Sequence, residues 1–158
     1  MATTIKTGFE QLAKNLEVTA IQSSTMSTRQ QNVRNAVENG FKVLGSSLIG
    51  SYARSTMIAP LKDSDIDILM ILDSSYYQQH TPTTLLDRVR TTLLKTYPTT
   101  PKISRNGQAV TITFTDFSVD VVPAFYRNGG GFLIPDSIQG CWLSTEPTIH
   151  ATQLTQYN

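Results

Sequence analysis

The stretch that decides the fold is Gly50-Ser51-Tyr52-Ala53-Arg54-Ser55-Thr56 and, after a short bridge, Asp65-Ile66-Asp67-Ile68-Leu69-Met70-Ile71-Leu72. Side chains alternate between the two faces of a β-strand, so Asp65 and Asp67 are predicted to lie on one face and Ile66 on the other. The unbroken apolar run that follows predicts a central strand covered on both faces. The two acids therefore begin a buried strand, which can hold a site rigidly.

Two carboxylates on one face of a strand, about 7 Å apart along the backbone, repel each other unless a cation lies between them. Mg²⁺ suits such a site because it prefers oxygen ligands and is usually held by one or two carboxylates together with substrate phosphates. The alternative is that Asp65 and Asp67 form a solvated strand entry, since Asp63 makes this stretch acidic in any case.

The Gly50-Ser51 pair is compatible with a phosphate-binding loop. A glycine lets the backbone approach a ligand closely. Free amides at the start of a helix bind phosphate, and the serine hydroxyl adds a donor. Taken alone, the pair is more typical of an ordinary turn with a helix N-cap. The nearby Asp-x-Asp strand shifts the interpretation towards a phosphate loop joined to a metal-binding strand.

A third acid, Asp120, interrupts the apolar segment from Phe117 to Pro123. The segment lies in the clearest β region, after a hairpin whose turn we predict at Asn106-Gly107. A carboxylate in such a strand is costly unless it is paired or bound to a metal. It is therefore either a third metal ligand, if its strand neighbours the Asp65–Leu72 strand, or the partner of a nearby Arg or Lys.

Gly-Ser, Asp-x-Asp and a later lone Asp together resemble the pattern of the polymerase-beta-like nucleotidyltransferases. The residues around Gly50-Ser51 and Ser64-Asp-Ile-Asp-Ile68 most resemble those of the bacterial CD-NTases. These cyclic-oligonucleotide synthases of antiphage systems are relatives of cyclic GMP-AMP synthase. The resemblance extends from about Ser27 to the end of the chain.

The resemblance implies an α/β (α+β) nucleotidyltransferase fold, a mixed twisted sheet with helices mainly on one face. It implies two Mg²⁺ ions, or Mn²⁺ instead, held by Asp65, Asp67 and Asp120, with Gly50, Ser51 and more weakly Arg54 contacting phosphates. The implied substrates are nucleoside triphosphates, ATP and also GTP or others, and a regulatory protein partner would fit. Residues 1–158 are expected to form the catalytic lobe, with the family's helical C-terminal lobe absent or truncated.

Composition narrows the class of protein. The chain has 158 residues and a net charge of +1, so no strong field draws it to nucleic acid or to a membrane surface. No apolar run approaches the roughly 20 residues of a membrane span. A single cysteine, Cys141, excludes an internal disulfide and fits a reducing cytoplasm. The two histidines, His80 and His150, have no metal-ligand spacing and are expected at the surface.

The remaining elements follow from periodicity and capping. Thr7 and Ser27 each begin a predicted capping box, and the second helix is expected to end at Gly40. A third helix is predicted from Thr83 to Thr96, after a loop through Tyr76, Tyr77 and His80. Short strands are predicted at Phe132–Ile134 and Trp142–Ser144, with Trp142 as a packing residue.

Three other functions are compatible with parts of this pattern. A minimal antitoxin-type nucleotidyltransferase would share the motif but transfer AMP to a partner protein. A non-catalytic nucleotide-binding module would bind Mg²⁺ and ATP without turnover. A metal-dependent nuclease commonly carries a Glu-x-Lys on the next strand, and none follows Asp120.

Overall fold

A computed structural model describes residues 20–49, 65–100, 102–146 and 155–156, without the side chains of 20–23, 65 and 155–156. Its helices are α1 (Ala20–Glu38), α2 (Ser75–Gln79) and α3 (Pro82–Thr96). Its strands are β1 (Val43–Ile49), β2 (Asp65–Leu72), β3 (Lys102–Asn106), β4 (Ala109–Thr113), β5 (Ser118–Tyr126), β6 (Phe132–Asp136), β7 (Cys141–Thr145) and β8 (Thr155–Gln156). The helix predicted at Thr7 lies outside these residues.

The main sheet is mixed and has the strand order β3-β4-β5-β2-β1-β8. Strands β2 and β5 run parallel at its centre, and the other pairs in this order are antiparallel. Strand β6 pairs with the end of β5, and β7 pairs with β6. The β2 bounds agree with the prediction, and the apolar run from Ile68 to Leu72 is buried as expected.

Helices α1 and α3 pack against one face of this sheet. Their apolar stripes, including Val33 and Val37 from α1 and Leu86 and Val89 from α3, form one buried cluster with alternate residues of β2, β4 and β5. In the described part of the chain, no helix is long and apolar enough to cross a membrane. The predicted arrangement of helices mainly on one side of a mixed sheet is confirmed.

Three local predictions were wrong. Helix α1 is continuous from Ala20, so Ser27 lies inside it and does not begin a helix. The hairpin loop is Gly107-Gln108, one residue later than predicted, because Asn106 pairs with Ala109 and the positive φ of +60° falls on Gly107.

The segment predicted as a loop through Tyr76 contains the short helix α2. Its start is fixed by Asp73, whose Oδ1 accepts a hydrogen bond from the Ser75 backbone N–H at 3.0 Å. This bond, assisted by Lys42, holds the pKa of Asp73 below its ordinary value of 3.8. Tyr76 packs edge-on against Phe41, and its hydroxyl accepts a hydrogen bond from the Lys42 N–H. The two contacts of Tyr76 are with residues distant in sequence, so the local periodicity of this segment could not predict the helix.

Candidate functional site

Asp67 and Asp120 lie directly opposite each other on the two parallel central strands. Neighbouring strands are about 4.8 Å apart, and residues opposite each other project to the same face. Both side chains are half-buried. The structure therefore brings together two of the three acids that the sequence singled out, on the sheet face opposite α1 and α3.

Asp65 is the first residue of β2, one row away, and its register partner on β5 is Ser118. Its side chain lies outside the described part of the structure, so its role as a ligand stays a prediction. Among the side chains that the structure does describe, no three His, Cys, Asp or Glu residues form a group that could hold a metal ion. Of the three predicted acids, the structure therefore describes the side chains of the pair Asp67 and Asp120.

The predicted phosphate-loop residues Gly50, Ser51 and Arg54 also lie outside the described residues. The last described residue before them is Ile49, at the end of β1, and its register partner is Asp67. The segment that carries Gly50 and Ser51 therefore follows directly from the strand position beside the acidic pair.

Strand β4 extends the row of polar residues on the other side of β5. Thr111 lies opposite Asp120, and its hydroxyl donates a hydrogen bond to Asp120 Oδ1 at 2.6 Å. Sequence reasoning missed this residue. The signal available was a polar residue between buried Val110 and Ile112, but the sequence did not show which residue of β5 it would face.

The same sheet face becomes apolar further along the strands. Leu69 and Ile71 of β2 and Ala124 of β5 form a second buried cluster with Phe132 and Ile134 of β6. Side-chain alternation puts Leu69 and Ile71 on the same face as Asp67. The acids therefore lie beside a packed apolar patch, which fixes their strands on this face as the helices do on the other.

Two other residues considered in the sequence, His80 and Trp142, have contacts of their own. His80 is half-buried and its ring bonds to the Tyr76 carbonyl and the Arg88 guanidinium; His150 lies outside the described residues. Trp142 packs against Tyr77 and Phe125, with ring centroids 4.9 and 5.5 Å away. Packing is therefore the observed role of Trp142, as predicted.

Comparison with known families identifies the family to which the chain belongs. Residues 2–158 match the Second Messenger Oligonucleotide or Dinucleotide Synthetase domain, abbreviated SMODS. The chain belongs to the SMODS family. A curated relative of this SMODS chain is the cyclic AMP-AMP-AMP synthase of an Acinetobacter species. It is 28% identical over 160 residues, which is 95% of this chain and 46% of the relative.

Solved structures share the fold of the SMODS chain. The CD-NTase CdnG of Bradyrhizobium diazoefficiens, solved in complex with GTP, aligns with a TM-score of 0.71 and 21% identity over 85% of this chain and 42% of that one. CdnC of Escherichia coli MS115-1, in its complex with a HORMA protein, aligns with a TM-score of 0.62 and 21% identity over 92% and 47%. The chain spans less than half the length of these relatives. The predicted family and fold class are confirmed.

Proposed function

We propose that this SMODS chain carries the catalytic acids of an enzyme that joins nucleoside triphosphates into cyclic di- or oligonucleotide messengers for antiphage signalling. The observation that carries the proposal is the placement of Asp67 opposite Asp120 on adjacent parallel strands. Family membership supports the reaction class. ATP is the first substrate to test, because the curated relative is a cyclic AMP-AMP-AMP synthase.

The residues present fit a divalent metal. Asp67 and Asp120 offer carboxylate oxygens, the ligand type that Mg²⁺ prefers. They are half-buried and adjacent, so a cation between them would offset their mutual repulsion. We propose that Asp65, Asp67 and Asp120 hold Mg²⁺, with Mn²⁺ as a substitute. When bound, the metal would neutralise triphosphate charge and acidify the attacking hydroxyl.

The residues of the chain have separate proposed roles in the transfer. Asp65 and Asp67 orient the triphosphate of the donor nucleotide, and Asp120 lies beside the acceptor hydroxyl. Ser51 and the amides near Gly50 hold the terminal phosphates, with Arg54 as an additional contact. The acceptor oxygen forms a bond to the α-phosphorus, the bond between the α- and β-phosphates breaks, pyrophosphate leaves and the hydroxyl proton passes to solvent.

The test is incubation of the protein with labelled ATP and Mg²⁺, in wild type and in Asp67→Asn and Asp120→Asn variants. Each substitution should lower product formation on the order of 100-fold or more, because it removes a metal ligand. Asp87→Asn is the matched control. Asp87 is an exposed aspartate on α3, 3.6 Å from Arg105, and its replacement should leave turnover unchanged.

The products separate this proposal from its rivals. A small labelled product that resists phosphatase supports a cyclic oligonucleotide synthase. A labelled protein band would instead indicate AMP transfer to protein. Calorimetric binding of ATP and Mg²⁺ without any product would indicate a nucleotide-binding module. Undiminished turnover in the Asp67→Asn and Asp120→Asn variants would contradict the proposed site.

A further inference from the structure

We infer that Thr111 is a positioning residue, which holds the Asp120 carboxylate in the orientation that the metal site needs; the inference rests on the proposed function. Thr111 lies opposite Asp120 across the antiparallel β4–β5 pair, and Asp67 lies on the other side of Asp120. The three residues form one row on the sheet face that faces away from α1 and α3.

The contact has the geometry of a charge-assisted hydrogen bond. The distance from Thr111 Oγ1 to Asp120 Oδ1 is 2.6 Å, within the range for a hydroxyl that donates to an ionised carboxylate. A carboxylate has two oxygens and about four acceptor positions, so the bond from Thr111 occupies only part of its acceptor capacity. The hydroxyl therefore restricts rotation of the Asp120 carboxylate, as outer-shell partners of metal ligands commonly do.

The position of Thr111 is fixed by its neighbours. Val110 and Ile112 are fully buried in the main core, and they pair with Val121 and Val119 of β5. A shift of β4 by one residue would move these apolar side chains out of the core. Threonine is also β-branched, so its χ1 angle is restricted. The hydroxyl is therefore presented to Asp120 by a rigid strand.

Strand stability alone does not require the hydroxyl. Valine has nearly the same shape as threonine and an equally high preference for strands. If Thr111 served only to pack β4 against β5, Thr111→Val would leave function intact. If it positions Asp120, the same substitution would weaken metal binding without unfolding the protein. The two explanations thus predict different results for one substitution.

The experiment measures Mn²⁺ binding by electron paramagnetic resonance in the presence of a non-hydrolysable ATP analogue, alongside turnover of ATP. Thr111→Val should weaken Mn²⁺ binding by about 10- to 100-fold, with a Tm within about 2 °C of wild type. Thr111→Ser keeps the hydroxyl and should restore binding to within a few-fold. Thr91→Val is the control, because the Thr91 hydroxyl donates to the Asp87 carbonyl of its own helix, on the exposed side of α3.

Each outcome decides a separate claim. Wild-type Mn²⁺ affinity and turnover in Thr111→Val, or equal loss in Thr111→Ser and Thr111→Val, would overturn the role of Thr111. If Thr111→Val does not fold, Thr111→Ala, which also lacks the hydroxyl, is measured instead and should show the same loss. If wild type neither binds Mn²⁺ nor forms product, the proposed function itself fails, and the inference fails with it.

Discussion

The tight contact between Gly40, which follows α1, and Thr92 of α3 gives a prediction that a second substitution can test. A Cβ placed on Gly40, just after α1, would lie 2.6 Å from Thr92 Oγ1 and 2.8 Å from Thr92 Cγ2. Comfortable contacts between nonbonded carbons are about 3.5–4.0 Å. Thr92 is buried, and its hydroxyl bonds to the Arg88 carbonyl, so it has little freedom to move aside. Gly40→Ala should therefore force the helices apart.

The expected change in the free energy of unfolding has two opposing contributions. Overpacking a tight contact costs about 1–3 kcal/mol, whereas replacing glycine by alanine gains about 0.4–1 kcal/mol by restricting the unfolded chain. The net expectation is a destabilisation of about 1–2 kcal/mol. In a Thr92→Ala background the two nearest atoms are absent and the nearest remaining atom, Thr92 Cβ, lies 3.3 Å away, so the same Gly40→Ala change should destabilise the protein by at least about 1 kcal/mol less.

The assay is urea unfolding of wild type, both single variants and the double variant. Trp142 is the only tryptophan in the chain and packs against Tyr77 and Phe125, so its fluorescence reports unfolding. A double-mutant cycle isolates the interaction between the two sites. If Gly40→Ala destabilised the protein equally in both backgrounds, the described approach of α1 to α3 would be wrong.

Two further predictions concern single contacts. Backbone N–H groups of Gln139 and then Ile138 lower the pKa of Asp136 from 3.8. This carboxyl therefore stabilises the fold above pH 3.8 and loses that contribution as pH falls through the lowered pKa. Tm measured from roughly pH 6 to pH 2 should fall more steeply in wild type than in Asp136→Asn, and equal slopes would contradict this. The Arg29 guanidinium lies 3.9 Å from the Phe114 ring centroid and bonds to Asp116 at 3.0 Å, so Arg29→Lys should destabilise the protein by about 1 kcal/mol in urea unfolding. The control Arg105→Lys, at an exposed pair, should change stability by less than about 0.5 kcal/mol, and an equal effect in both would refute the stacking contribution.

Local patterns predicted the elements that carry strong apolar signals. The apolar run from Ile68 to Leu72 predicted strand β2, and the stripe of Leu85, Leu86, Val89 and Leu93 predicted helix α3. The failures occurred where distant contacts decide. Helix α2 depends on Tyr76 meeting Phe41 and Lys42, and the polar first half of α1 showed no stripe that could place its start.

For the candidate site, too, local pattern predicted some residues, and contacts between distant parts of the chain decided the others. The cost of an isolated charge in an apolar strand drew attention to Asp120, but only the family resemblance predicted that its strand neighbours β2. Thr111 was missed because the register between β4 and β5 depends on pairing across the sheet, which spacing along the chain does not reveal. The roles of Asp65, Gly50, Ser51 and Arg54 remain predictions.

The central claim is that Asp67 and Asp120 share a divalent cation. Its most direct test is anomalous diffraction from crystals grown with Mn²⁺ and a non-hydrolysable ATP analogue. We predict an anomalous peak about 2 Å from carboxylate oxygens of both residues, as expected for direct coordination by a small divalent ion. Bound nucleotide with no Mn²⁺ at these two carboxylates would contradict the account.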